Sequence, residues 1–377
     1  MVKLMKKLIL YFLLIPVYLL FVTCNDPIFY NISQEEELLD PIIEGSPTNF
    51  VMFNNYMYVA SGQKLYKYKG TYSGHTDRGS WEDTSPTGKR IFALAVANNN
   101  MFALFDDAGR GVLRMFNGNN WSLFSEAAEH NIRSIHCIND VLFIGAGENN
   151  KSLYILYYDG NNLGRLTDTG SSLLNGAAYN SETNTYYLST KDLLNTTDGA
   201  IYNASNLSDT AKTLISGIPF VGIINCNNNT IYAIDQNGKL YIVPGINEIA
   251  SFANLGNYLA TGALSIWEKD GKHLLLAGRK DIMNASITSG YTYGYLELEI
   301  LPLNGSFNEP GKKTVSTVNN GENGKYAATI GKYPVNHIFQ APLIGNDKNQ
   351  ILFASTQKNG VWSYRQRGND WHWNAEQ

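Results

Sequence analysis

From residue 49 to its end the chain alternates short apolar runs with breaks rich in Asn and Gly. Apolar runs of this length, bounded by turn residues, read as β-strands joined by tight turns. The runs follow one plan: an apolar strand, an Asn-rich turn, then an aromatic or apolar strand that ends in a small residue. Tyr58 in "NNYMYVAS", Phe102 in "NNNMFALF", Phe143 in "INDVLFIG", Tyr187 in "TNTYYLST", Tyr232 in "NNTIYAID", Leu276 in "KHLLLAGR" and Phe353 in "NQILFAST" occupy equivalent places. They are separated by 44, 41, 44, 45, 44 and 77 residues. A third strand follows most of them, as in "KLYKY" at 64, "VLRMF" at 112, "SLYILYY" at 152, "KLYIV" at 239, "YLELEIL" at 295 and "VWSYR" at 361.

A small sheet repeated at this period cannot bury both its faces alone and must stack against its neighbours, which predicts a β-propeller of four-stranded antiparallel blades. The segments "FNGNNW" at 116 and "YDGNNL" at 158 are then turns between third and fourth strands, with Gly and Asn supplying positive φ. "YRQRGNDWHW" at 364 does the same in the last blade. Residues 49–377 divided by seven give 47 per blade, so the expectation is an all-β, seven-bladed propeller. The interval of 77 reads either as a hidden short eighth blade or, more simply, as one blade with insertions plus the first strand of the next. A β-sandwich or a solenoid is the rival architecture, and seven matching strand-turn-strand units weigh against both.

The composition agrees with this, since 34 glycines and 24 tyrosines suit a large all-β fold with Gly-built turns, and 16% charged residues are too few for a disordered chain. The N-terminus departs from the pattern. MVKLMKK leads into the apolar run from Leu8 to Val22, 15 residues broken by Pro16, whereas a spanning helix needs about 20. That is the outline of a signal peptide over residues 1–23. Thr23-Cys24-Asn25 then resembles the lipidation site of a bacterial lipoprotein, and the resemblance implies a diacylglycerol thioether on Cys24. Phe21 and Thr23 depart from the usual box, which has Leu three residues before the cysteine and a small residue just before it. An ordinary signal peptide or an uncleaved anchor is the alternative.

Residues 24–48, with Glu35-Glu36-Glu37, Asp40, Pro41 and Pro47, read as the lipidated cysteine and an acidic tether. Removing Lys3, Lys6 and Lys7 with the leader leaves 26 basic against 33 acidic residues, a net charge of −7, which excludes nucleic acid as a natural partner. With the propeller, the whole resembles the β-propeller lipoproteins of bacteria, WD40-, Kelch- or NHL-like in architecture, without a family-specific motif. The resemblance implies a cell-envelope protein held outside the cytoplasm by its lipid. The sequons at Asn195 and Asn284 would matter only in a eukaryotic secretory route, against which Cys24 argues.

Candidate chemistry is sparse. Cys137 and Cys226 each lie six residues before a marker aromatic, in different blades, and are expected to be buried free thiols because inner strands two blades apart keep Cα atoms beyond the ~7 Å of a disulfide. The histidines at 75, 130, 136, 273, 337 and 372 form no His-x-x-x-His or His-Glu arrangement, so no metal site and no cofactor are expected. "GSFNEPGKKT" at 305 has five residues between its glycines where a phosphate loop has four, and "TDRGSW" at 76 resembles a single imperfect Asp-box. Asp235-Gln236-Asn237-Gly238 reads as a solvated tight turn rather than a calcium loop.

What remains is loop geometry. In a propeller the loops between second and third strands open on the same face as the connections between blades. The long ones are 191–199, 279–294 and 319–333. They carry Lys191-Asp192 and Lys280-Asp281 at equivalent positions, with Arg279, Tyr291, Tyr293, Tyr326 and Tyr333, a set suited to a protein or glycan partner. The expected function is therefore a non-enzymatic binding or scaffold module acting through this face. The alternative is a carbohydrate-active propeller enzyme working in the central funnel. It would need two acids there, while "FVMF", "LAVA", "SIHC", "GAAY" and "GIIN" on the inner strands are largely apolar.

Overall fold

Each repeat of the sequence forms one four-stranded antiparallel sheet in the computed structural model, with the strands hydrogen-bonded in chain order. Residues 43–376 are described, apart from 71–80, 252–257, 282–293, 301–314, 318–329, 345–350 and scattered short gaps. The inner strands are Val51–Phe53, Ile91–Ala97, Ile132–Ile138, Leu173–Asn180, Phe220–Asn225, Tyr258–Lys269 and Val335–Gln340. Neighbouring ones pack side by side around a central axis. The protein is a seven-bladed β-propeller. All seven marker residues fall on second strands, which run Tyr56–Ser61, Asn100–Asp107, Val141–Ala146, Thr185–Lys191, Ile231–Asp235, Lys272–Asp281 and Leu352–Thr356. The long interval holds the third and fourth strands of blade six, Gly294–Ile300 and Val315–Thr317, before the inner strand of blade seven.

The turn chemistry explains the Asn-rich breaks. Asn54-Asn55, Asn98-Asn99 and Asn139-Asp140 have φ between 49° and 63° and close two-residue hairpins between first and second strands. That is the type I′ geometry that Asn and Asp tolerate. The "NGNN" and "DGNN" turns work differently from the sequence expectation. Only Gly118 and Gly160 take positive φ there. The residue before each glycine acts through its side chain: Asn117 Oδ1 accepts from the amides of Asn119 and Asn120, and Asp159 Oδ1 from those of Asn161 and Asn162.

The core is divided among the gaps between blades. Seven buried apolar clusters each draw side chains from two neighbouring sheets, one cluster for every interface around the ring. All seven markers are buried. The two cysteines lie in separate wedges, Cys226 buried between blades five and six and Cys137 half-buried between blades two and three. Both are free thiols, and burial pushes each pKa up to about 12, which leaves them as unreactive packing groups.

Backbones of adjacent blades touch where a side chain would block them. A Cβ added to Gly111 would sit 1.7 Å from the Ile132 carbonyl of the next inner strand. Gly111→Ala is therefore expected to force blades two and three apart and to lower stability by about 1–3 kcal/mol, read as a shifted denaturant midpoint. Gly109, at φ 84° with open space around it, needs glycine only for its backbone conformation.

The ring closes without exchanging a strand, since blade seven is built wholly from Val335–Ala375. The seam is stitched by the segment before blade one. Gly45 bridges Asn359 in parallel and accepts from the Gly360 amide at 2.9 Å, Ser46 Oγ accepts from the Lys358 amide, and Ile43 is fully buried. The propeller body thus takes in the last residues of the expected tether. Pro41–Gln377 forms one compact unit that contains every sheet and every closing contact described above.

Candidate functional site

A channel of about 790 Å³ runs along the propeller axis, lined by inner-strand residues of all seven blades. Its rim has a repeated construction. In blades two to seven the register of the inner strand slips after Ile91, Ile132, Leu174, Phe220, Ala260 and Val335. The extra residues are Phe92, Arg133, Asn175 and Val221, the triplet Thr261-Gly262-Ala263, and Asn336. In blade one the Thr48 amide bonds the Ala60 carbonyl and pairing resumes at Val51, which places Asn49 in the same position. A β-bulge re-aims a side chain away from the ladder. Here one bulge per blade brings one or more residues to the wall of a single channel.

Several rim residues also hold the ring. Asn49 makes paired bonds with the backbone of Leu94 (2.7 and 3.0 Å), and Ser134 Oγ donates to the Leu174 carbonyl (2.7 Å). Asn175 Nδ2 donates to the Phe220 carbonyl (2.8 Å) and Thr261 Oγ1 to the Val335 carbonyl (2.5 Å). Others are free to meet a ligand. Phe92 is 46% exposed with the Arg90 guanidinium 4.9 Å from its ring centre. Arg133 is exposed and anchored by its Nε to the Gly147 carbonyl and by one terminal nitrogen to the Glu148 carbonyl, both at 3.2 Å.

Deeper in the channel, His136 of blade three and His337 of blade seven face the same space from across the ring. The Phe50 amide donates to His337 Nδ1 at 3.2 Å, and His136 bonds the backbone of Leu174. Burial pulls both imidazoles down to about 4, with the His136 charge adding to the effect on His337. Both are neutral at pH 7. Among the described residues lining the channel, the formal charges are Arg90 and Arg133, and no Asp or Glu is present.

The residues expected from loop geometry divide three ways. Lys191 and Lys280 are equivalent in register, one residue beyond the Leu174–Thr190 and Ala260–Arg279 pairs, and share the face that carries the channel rim. They are drawn together across blade five: Lys191 Nζ donates to Gln236 Oε1 at 2.8 Å, and the pKa of Lys280 is lowered first by desolvation of its ammonium and then by the charge of Lys191. Asp192 instead builds its own turn, its Oδ1 accepting from the amides of Leu194 and Asn195. Leu194, at the tip, is 59% exposed.

Arg279 is buried within its strand, paired with Ala260 at the edge of the bulge, rather than displayed on the loop. Tyr333 packs half-buried against the cluster between blades six and seven, and its carbonyl accepts from the Gly294 amide at 3.0 Å. Asp281 ends its strand opposite Tyr258. Cys24, Tyr291, Tyr293 and Tyr326 lie outside the described residues. Asp235 forms the expected tight turn, accepting from the Asn237 and Lys239 amides. Burial raises its pKa, against the lowering effect of the backbone amides it accepts from.

Sequence reasoning passed over the rim itself. A bulge position takes no fixed residue type, and Asn, Phe, Arg and Val in equivalent places form no motif. The one available signal was a residue that breaks alternation just ahead of each apolar inner run, as Arg133 does before "SIHC".

No family model matches the sequence, and no curated protein matches it. Solved structures share the fold. The extracellular domain assigned to a hybrid two-component system of B. thetaiotaomicron aligns over 87% of this chain with a TM-score of 0.59 at 12% identity. A second structure of that extracellular domain, assigned to a one-component system, aligns over 88% at 0.56 and 13%. This chain spans 40% of the length of each. A chain in the structure of the mitotic checkpoint complex, 94% covered, aligns over 88% of this one at 0.54 and 13% identity. At these identities the likeness establishes the fold, a seven-bladed β-propeller.

Proposed function

We propose that this protein is a binding module held outside the cytoplasm by a lipid on Cys24, and that it engages a protein partner through the face bearing the channel rim, Lys191 and Lys280. One observation carries the reading: six inner-strand registers break at the same level, Asn49 takes the matching place in blade one, and these positions converge on one rim whose exposed members are Phe92, Arg133 and Asn336. A rigid ring that presents unlike side chains from successive blades is suited to recognition. Exposed Arg and aromatic groups are the residue types that anchor interfaces. The extracellular propeller domains of similar fold support a location outside the cytoplasm. Glycoside hydrolysis with two carboxyl groups finds no support in a channel whose described lining carries none.

Two experiments test the two halves. Metabolic labelling with a palmitate analogue is expected to mark the wild-type chain and to leave Cys24→Ala unmarked; equal labelling, or none in either, refutes the anchor. Affinity capture from solubilised envelope with the propeller as bait is expected to retain a partner that the Lys191→Glu/Lys280→Glu double variant loses by roughly tenfold or more, since reversing two charges at an interface opposes the original complementarity. Unchanged capture would move the interface off this face.

A further inference from the structure

The channel has a charge pattern that neither the fold nor ring closure requires. The chain carries 33 acidic against 29 basic residues, yet the formal charges lining the channel among the described residues are two arginines. Neither Arg90 nor Arg133 is ion-paired among the described residues. Arg133 is held by its Nε and one terminal nitrogen, both turned to backbone carbonyls. Its remaining terminal N–H groups make no hydrogen bond to the described residues. A guanidinium oriented by backbone acceptors and left with open donors is preorganised for a planar anion.

Below the rim the chemistry changes. Met52, Val96, Leu264 and Phe339 border the shaft with half-exposed side chains. Its two imidazoles are uncharged at neutral pH. The volume of about 790 Å³ falls in the ~300–1,000 Å³ range of small-molecule sites. The cationic groups therefore stand at the entrance of an uncharged shaft that carries these apolar side chains along its wall, with the exposed Phe92 ring beside them.

We infer that the channel is a binding site for an amphipathic organic anion, its carboxylate or sulfonate head on Arg133 and Arg90 and its apolar body along Phe92 and into the shaft. This rests on the recognition face proposed above and adds a small ligand to it. Either a free metabolite or an anionic group borne by the partner would supply the chemistry, and a soluble probe tests the shared requirement.

The experiment uses the full chain, with 8-anilinonaphthalene-1-sulfonate as anionic probe and its neutral analogue N-phenyl-1-naphthylamine. The wild type is expected to bind one sulfonate per chain and to prefer it to the neutral probe by roughly tenfold or more, as a charge-assisted hydrogen bond would give. Arg133→Gln and Arg90→Gln should each remove most of that preference while leaving neutral-probe binding and the melting temperature unchanged. Arg133→Lys, which keeps the charge without the fork, should fall between. Decanoate should displace the sulfonate and inorganic sulfate should not.

Equal binding of the two probes, or sulfonate binding that both Gln variants retain, overturns the site. Displacement by sulfate as effective as by decanoate overturns the amphipathic ligand and leaves a bare-anion site. The outcomes separate from those of the partner test. Loss of capture in the Lys191/Lys280 variant with no probe preference keeps the module and discards the ligand, and the reverse pattern discards the partner face.

Discussion

Replacing Glu376 with alanine is expected to lower stability by about 3–5 kcal/mol, because it strands a buried arginine at the ring seam. Arg365 and Glu376 are both buried, with the Arg365 terminal nitrogen 3.1 Å from Glu376 Oε1. The carboxylate also accepts from Trp81 Nε1 at 2.7 Å and from Ser363 Oγ, while Arg365 donates to Tyr68 Oη at 3.0 Å. Tyr68 and Trp81 belong to blade one, whereas Arg365 and Glu376 belong to blade seven and its end. One acid just after the last strand therefore ties the last blade to the first. Around it, Phe353 meets the Tyr68 and Trp81 rings edge-on at 5.2 and 5.9 Å, so the charges sit in an aromatic wedge with little access to water.

The check is a thermodynamic cycle in denaturant. Glu376→Ala and Arg365→Met should each be costly, and the double variant should cost clearly less than their sum, since an uncompensated buried charge is worse than none. Additive losses would mean that the pair is not coupled. Glu376→Gln, which keeps an acceptor for Trp81, should be milder than Glu376→Ala.

The second large effect is on acid stability. His136 and His337 titrate near 4 in the folded protein and near 6.5 when unfolded. A depressed histidine pKa means that the unfolded chain takes up the proton first. Their contribution is fully present above pH 6.5 and is lost as pH falls toward 4, by up to about 3 kcal/mol for each ring. Protonating His337 would also set an N–H against the Phe50 amide that now donates to Nδ1, which fixes the neutral tautomer with its proton on Nε2. His136→Gln and His337→Gln keep a hydrogen-bonding group without the titration. Unfolding midpoints between pH 7 and 4.5 should decline less steeply in each variant and least in the double one. A double variant with the wild-type slope would remove the histidines as the cause.

The repeat, the blade count and the second-strand markers were legible because they follow from local rules. A strand needs alternating apolar residues, a two-residue hairpin needs Asn or Asp at positive φ, and a small sheet with two apolar faces must be stacked. The equivalence of Lys191 and Lys280 was likewise visible as a repeat position and was upheld by the strand register. Arg279 shows the limit of that reasoning, since one residue along a strand separates a solvent-facing side chain from a buried one and only the pairing of the strand, here with Ala260, decides which.

The sequence by itself determined the architecture, since strand periodicity and turn chemistry act over a few residues and recur seven times. Only the tertiary structure decided what the ring encloses and how it closes. Phe92 and Arg133 join one rim because register slips in adjacent blades turn them to a common axis, and Arg90 stands beside the Phe92 ring. His136 and His337 share a channel across 201 residues of chain because curvature brings opposite blades face to face. Trp81 and Glu376, bonded across 295 residues, meet because the last sheet must cover the first. Each is a contact between residues distant in sequence, set by the stacking of whole blades, and no local pattern encodes it.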